Sequence, residues 1–93
     1  MKIAINYSYG GFDLKESIIK KYGFDPDIAY NYISRTDLKL IELIESGVDV
    51  ADESCKIKIV SIPDKATDWT IIEYDGAEDV IYVLDGKIHW AKA

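Results

Sequence analysis

The sequence predicts an α+β fold, a two-layer sandwich in which an antiparallel sheet of four or five strands carries two main helices on one face. Three observations lead there. The first half of the chain is paced at helical spacing between glycines, and the second half at the two-residue period of strands. The dipeptide Asp85-Gly86 then lies between two of those strand-like runs, where it signals a hairpin. The 93 residues hold no repeat, linker or low-complexity tract, so they form a single domain, 1–93.

Each element has its own signal. Residues 2–7, KIAINY, set Ile3 and Ile5 against Lys2, Ala4 and Asn6, the alternation of a strand. After Gly10-Gly11, the run FDLKESIIKKYG offers Asp13 as a cap with Glu16 three positions on. Leu14, Ile18, Ile19 and Tyr22 follow at helical spacing, and Gly23 stops the run. In DPDIAYNYI, Asp25 is an N-cap and Pro26 a first helical residue, giving either a helix of one or two turns or an ordered loop. SRTDLKLIELIESG is the main helix, with Leu38, Leu40, Ile41, Leu43 and Ile44 as its apolar face and Gly47 just past its end. Strands at 56–62, 69–74, 80–84 and 87–91 complete an antiparallel meander. Asp85-Gly86 is its two-residue turn, and Asp75-Gly76 belongs to a slightly longer loop. The N-terminal strand joins the meander at its edge or in its middle.

Charge narrows the function classes. Seventeen acids against eleven bases leave a net charge of −6. Nonspecific nucleic-acid binding draws on Lys and Arg against phosphate, so no direct nucleic-acid partner is expected, and no anionic membrane surface. A basic protein partner, or an anion held in one local basic pocket, fits the balance. Cys55 is the single cysteine, which excludes an intrachain disulfide and suits a reducing compartment. The opening Met-Lys-Ile-Ala-Ile is too short for a secretory signal core, and a cytoplasmic location is expected.

Few residues carry chemistry. The stretch INYSYGGF runs from a strand through Gly10 and Gly11 to Phe12 and a helix start. Two readings are open: backbone N–H groups cradling an anion, or a tight turn with close strand–helix approach. The third glycine of a dinucleotide fingerprint and the lysine of a P-loop are missing, and Asp13 would repel phosphate. Arg35 is the only arginine. It either pairs with one of the many carboxylates or anchors an anion, in a pocket walled by Tyr7, Tyr9, Tyr30 or Tyr32. Glu73, Asp75, Glu78, Asp79 and Asp85 fall in one run without Lys or Arg. That run is a solvated hairpin face, a cation site around Asp75, Glu78 and Asp79, or an interaction face for a basic partner. His89, the single histidine, shares a strand face with Lys87 and Ala91. Trp69 and Trp90 read as core or cross-strand residues. With one histidine and one cysteine there is no zinc spacing, no cofactor is expected, and no nucleophile–base pair supports an enzyme.

The order INYSYGGFDL, SRTDLKLIELIESGVDVA, KIKIVSIPD, WTIIEYDGAEDV and a terminal HW resembles a family of small phage and prophage proteins. Its pattern starts I-N-x-x-x-G-G-F-x-L-S, continues through an Arg-x-D-x-x-L helix and an L-K-V-V-E-I-P-D strand, and closes with W-x-I-x-E-Y-D-G-x-E-x-V. The resemblance spans nearly the whole chain. It carries over Asn6, Gly10, Gly11, Phe12, Leu14, Arg35, Asp37, Ile62, Pro63, Trp69, Glu73, Tyr74, Asp75, Gly76 and Glu78. Lys15 stands where that family has Ser, the segment 23–33 is short, and KIHWAKA lacks the arginine of a His-Arg-x-Trp ending.

What the resemblance implies is an accessory protein of a mobile element in the bacterial host cytoplasm; it implies no particular reaction. By analogy with phage genes of this size it implies anti-defence work, including sequestration of an immune signalling nucleotide. The leading expectation is therefore a homo-oligomer that binds a small anionic, nucleotide-like ligand through Tyr7, Tyr9, Gly10, Gly11 and Arg35. The alternatives are an acidic inhibitor that grips a basic host protein through Glu73, Asp75, Glu78 and Asp79 on the 73–85 hairpin, or a structural phage factor.

Overall fold

A computed structural model describes residues 1–31 and 33–91, with the side chains of Tyr30 and Asn31 left aside. Strand β1 (Lys2–Asn6) pairs antiparallel with β2 (Ile57–Ser61), in a register that sets Ile3 opposite Val60 and Ala4 opposite Ile59. Helices α1 (Glu16–Lys21), α2 (Pro26–Asn31) and α3 (Leu38–Glu45) lie between them in the chain. Strands β3 (Asp68–Tyr74), β4 (Ala77–Leu84) and β5 (Lys87–Trp90) form a separate antiparallel meander. The class is α+β, as the sequence predicts, but among the described residues the sheet is split into one of two strands and one of three, and three short helices stand where two main ones were expected.

The split follows from which faces are apolar. One face of the β1–β2 ribbon sends Ala4, Ile57 and Ile59 into a core with Leu14, Ile18, Ile19, Leu40, Ile41 and Val50. The other face sends Ile3, Ile5, Val60 and Ile62 against Val80, Trp69, Ile71 and Tyr82. A ribbon apolar on both sides is stable only when covered on both sides. Helices cover one face and the three-stranded sheet the other, so β2 packs over the meander instead of joining its edge. Ala4, which the alternation assigns to the polar side of the first strand, is fully buried.

Local signals succeed at most termini. Asp25 accepts from the N–H of Asp27, and α2 begins at Pro26. The Asp37 carboxylate accepts from the Leu40 N–H at 2.9 Å and starts α3. That helix ends in a Schellman motif, with Val48 N–H on the Leu43 carbonyl, Gly47 N–H on that of Ile44, and Gly47 at φ +89°. Asp37→Ala is expected to lower stability by about 1 kcal/mol, the usual worth of such a cap, seen as a lower urea midpoint at unchanged slope.

Two expectations need correction. Helix α1 has Lys15, not Asp13, at its N-cap and no side-chain cap bond. Residues 13–15 are drawn into a short pairing with 50–52 instead: Leu14 bridges Ala51, Lys15 N–H donates to Val50, and Asp52 N–H donates to Asp13. Buried backbone pairing outcompetes a local cap. Asp75-Gly76 also forms a two-residue turn, not a longer loop. Tyr74 pairs with Ala77 across φ values of 51° and 88°, and Asp85-Gly86 repeats this with 52° and 73°. Among the described residues no helix is long and apolar enough to cross a membrane.

Candidate functional site

Asn6 and Arg35 from the first 35 positions meet Gly76 and Glu78 of the β3–β4 hairpin at one polar junction. Asn6, at the end of β1, is fully buried. Its amide donates to the Ser8 carbonyl at 2.8 Å and the Gly76 carbonyl at 2.7 Å. Its Oδ1 accepts from Ser8 Oγ at 2.9 Å and Lys56 N–H at 3.1 Å. The backbone N–H of Asn6 donates to Glu78 Oε1 at 2.8 Å. One asparagine thus ties the ribbon, the glycine loop and the hairpin turn together.

Arg35 closes the junction. Its Nη1 and Nη2 donate to the two oxygens of Glu78 at 2.6 and 2.9 Å, a bidentate pair whose side chains are 22% and 8% exposed. The guanidinium lies 3.7 Å from the centroid of the Phe12 ring. The Arg35 carbonyl accepts from the Ala4 N–H, so the loop before α3 is fastened to the free edge of β1. Among the open readings of Arg35, the structure displays the carboxylate pair. Glu78 is accordingly withdrawn from the acidic face: alternation along β4 sends it inward with Val80 while Asp79 points out. The three carboxylates weighed as a cation site therefore diverge, and among the described residues no His/Cys/Asp/Glu group is suited to a metal.

The glycine loop is closely packed at Gly10. A Cβ on Gly10 would run into the Ser54 carbonyl, and one on Gly76 would sit 2.5 Å from the Tyr9 carbonyl oxygen and 2.8 Å from the Gly11 nitrogen. Backbone fills the space beside Gly10 and Gly76, while a Cβ on Gly11 would meet nothing within 4 Å. Tyr7 and Tyr9 are exposed beside it. Tyr7 carries Lys58 Nζ at 4.9 Å over its ring and borders an open cleft of about 530 Å³ with Lys15, Lys56, Asp49, Asp52 and Glu53. Lys15 donates to Asp49 and, with the Ala51 N–H, holds that carboxyl below the usual range. Acids and bases in this cleft largely cancel, which gives an anion little field. Tyr32 and the Tyr30 side chain lie outside the described residues.

The single cysteine and the single histidine each have a contact of their own. Burial pushes the Cys55 thiol up, and its Sγ donates to the Asp13 carbonyl at 3.0 Å. His89 stacks on Tyr82 with ring centroids 5.3 Å apart.

A second surface is more open. On β3–β5 the pairings Thr70↔Ile81, Ile72↔Asp79, Asp68↔Val83, Val83↔Ile88 and Ile81↔Trp90 put these residues on the sheet face turned away from the ribbon. Ile88 is 70% exposed and Trp90 59%, and Tyr74 at the turn is 76% exposed. A shallow groove of about 150 Å³ runs between Thr70, Ile81, Val83 and Ile88. Trp90, read from the sequence as a core or cross-strand residue, is 59% exposed because β5 is an edge strand and, among the described residues, no layer covers its outer face. Asp68 and Asp79 lie on the same face, with Asp75 and Asp85 in the turns at its two ends. Glu73 faces the ribbon side, where it accepts from the Gly76 N–H at 3.1 Å. No family model, curated protein or solved structure matches this chain.

Proposed function

We propose that this chain is a non-enzymatic binding protein that docks a basic protein through the outer face of β3–β5, in the accessory role the phage-family resemblance implies. The observation that carries the reading is the exposed Tyr74, Ile88 and Trp90 bordered by Asp68, Asp75, Asp79 and Asp85. Exposed large side chains set together on one face supply affinity, and a rim of one sign supplies encounter rate and selection of partner. The sequestering of a small anion draws less support from the geometry. A ligand on Arg35 would displace Glu78, leaving a buried carboxylate unpaired at a cost of several kcal/mol.

The test is affinity capture from bacterial lysate on immobilised protein, alongside the variant Ile88→Thr/Trp90→Thr. Threonine keeps the β preference of these positions while removing the apolar contact. A basic protein retained by the parent chain, released as salt rises and absent from the variant is the expected result. Identical profiles from the two would remove the basis for this reading.

A further inference from the structure

We infer that the partner element seated on this face is an amphipathic helix of about 17 residues with an apolar stripe and Lys or Arg in both terminal turns, an inference that rests on the reading above. Layering points to a helix. Each apolar sheet face inside the molecule is completed by a packed layer: helices over one side of the ribbon, and the ribbon over the inner side of β3–β5. Among the described residues the outer side has no such layer. Three strands spaced at about 4.8 Å present a strip matched by the 10–12 Å diameter of one helix, given as approximate general dimensions.

Charge places the basic ends. Asp75 and Asp79 sit at one end of the strip, and Asp68 and Asp85 at the other, since Asp68 pairs with Val83 next to the second turn. Between them lie Ile72, Ile81, Val83, Ile88 and Trp90. On the face itself Asp79 and Asp68 stand about 13 Å apart, and strand β4, at eight residues and roughly 3.3 Å per residue, separates the turns that hold Asp75 and Asp85 by about 25 Å. A helix covers that distance in about 17 residues. A second copy of this chain is the poorer occupant, because it would bring its own acidic rim against this one at a net charge of −6 each.

The test titrates the isotope-labelled full chain with three synthetic 18-residue peptides, followed by backbone amide shifts and circular dichroism. The first has leucines at helical spacing with Lys and Arg in both terminal turns. The second adds a proline in mid-stripe, and the third replaces the bases with Glu. The expected result is saturable shifts centred on Thr70, Ile72, Ile81, Val83, Ile88 and Trp90 with a gain of peptide helicity. Binding should weaken at least tenfold for the proline and Glu peptides, and for the first peptide against Ile88→Thr/Trp90→Thr. Absence of shifts overturns the inference. So does equal binding of the proline peptide along an edge of β3 or β5, which would mean an extended partner and leave the protein-binding reading standing. A doubling of mass without peptide, abolished by Ile88→Thr/Trp90→Thr, overturns it in favour of a second copy. Failure of the lysate capture as well would remove the underlying reading.

Discussion

Arg35→Ala is expected to cost this domain about 3–5 kcal/mol, because it strands the Glu78 carboxylate at 8% side-chain exposure with no cation to meet it. Domains are typically stable by only about 5–15 kcal/mol, and small ones bury proportionally less surface. Much of the stability is therefore at stake. Urea denaturation followed by tryptophan fluorescence should show a large drop in midpoint, or a chain already partly unfolded in buffer. Glu78→Gln should act in the same direction, since it leaves the guanidinium half-paired against Phe12 and the Ala4 carbonyl. Replacing both partners, as Arg35→Met/Glu78→Leu, should recover a substantial part of the loss, because it removes the desolvated charges together. An Arg35→Ala chain with the parent midpoint would mean that the guanidinium is not structural, and would return it to the list of ligand anchors.

The glycine loop gives the second large effect. Gly10→Ala should destabilise by several kcal/mol or prevent folding, since its methyl would run into the Ser54 carbonyl, which is backbone and has no rotamer to yield. Gly11→Ala should cost only about 1–2 kcal/mol. Its Cβ would meet nothing within 4 Å, and the penalty is the left-handed backbone at φ +78° alone. Neighbouring glycines are thus required for different reasons, one for space and one for conformation. Equal urea midpoints for the two variants would show that the loop is not packed as described.

What was legible in the sequence is what is decided locally. The Asp25 cap, the Gly47 terminus and the Asp85-Gly86 turn each depend on a few adjacent residues, and the structure places all three as read. Asp13 carries as good a local signal and fails, because Leu14 and Lys15 gain backbone partners at Val50 and Ala51 that no local pattern records. The layer order was hidden for a related reason. A small apolar residue such as Ala4 reads as neutral in an alternating strand, yet it lets α3 approach and marks that face as buried.

The junction was half legible. Arg35 stood out as the only arginine, but its partner Glu78 was hidden in a run of acids. Counting by twos back from the apolar Val80 and Tyr82 would have set Glu78 on the inward face, apart from Asp79. Asn6 and Phe12 carried no chemical signal of their own beyond the family resemblance. Trp90 needed the sheet order, since only an edge strand with a bare outer face leaves it exposed.

In the proposed division of labour the Asn6–Arg35–Glu78 junction builds the fold, and the outer face of β3–β5 is the docking surface. The most direct test measures binding of the captured partner to two folded variants, Arg35→Met/Glu78→Leu and Ile88→Thr/Trp90→Thr, each checked by circular dichroism. Parent-like affinity is expected for the first and a loss of at least tenfold for the second. The reverse pattern, with binding lost at the junction and kept on the bare sheet face, would contradict that division.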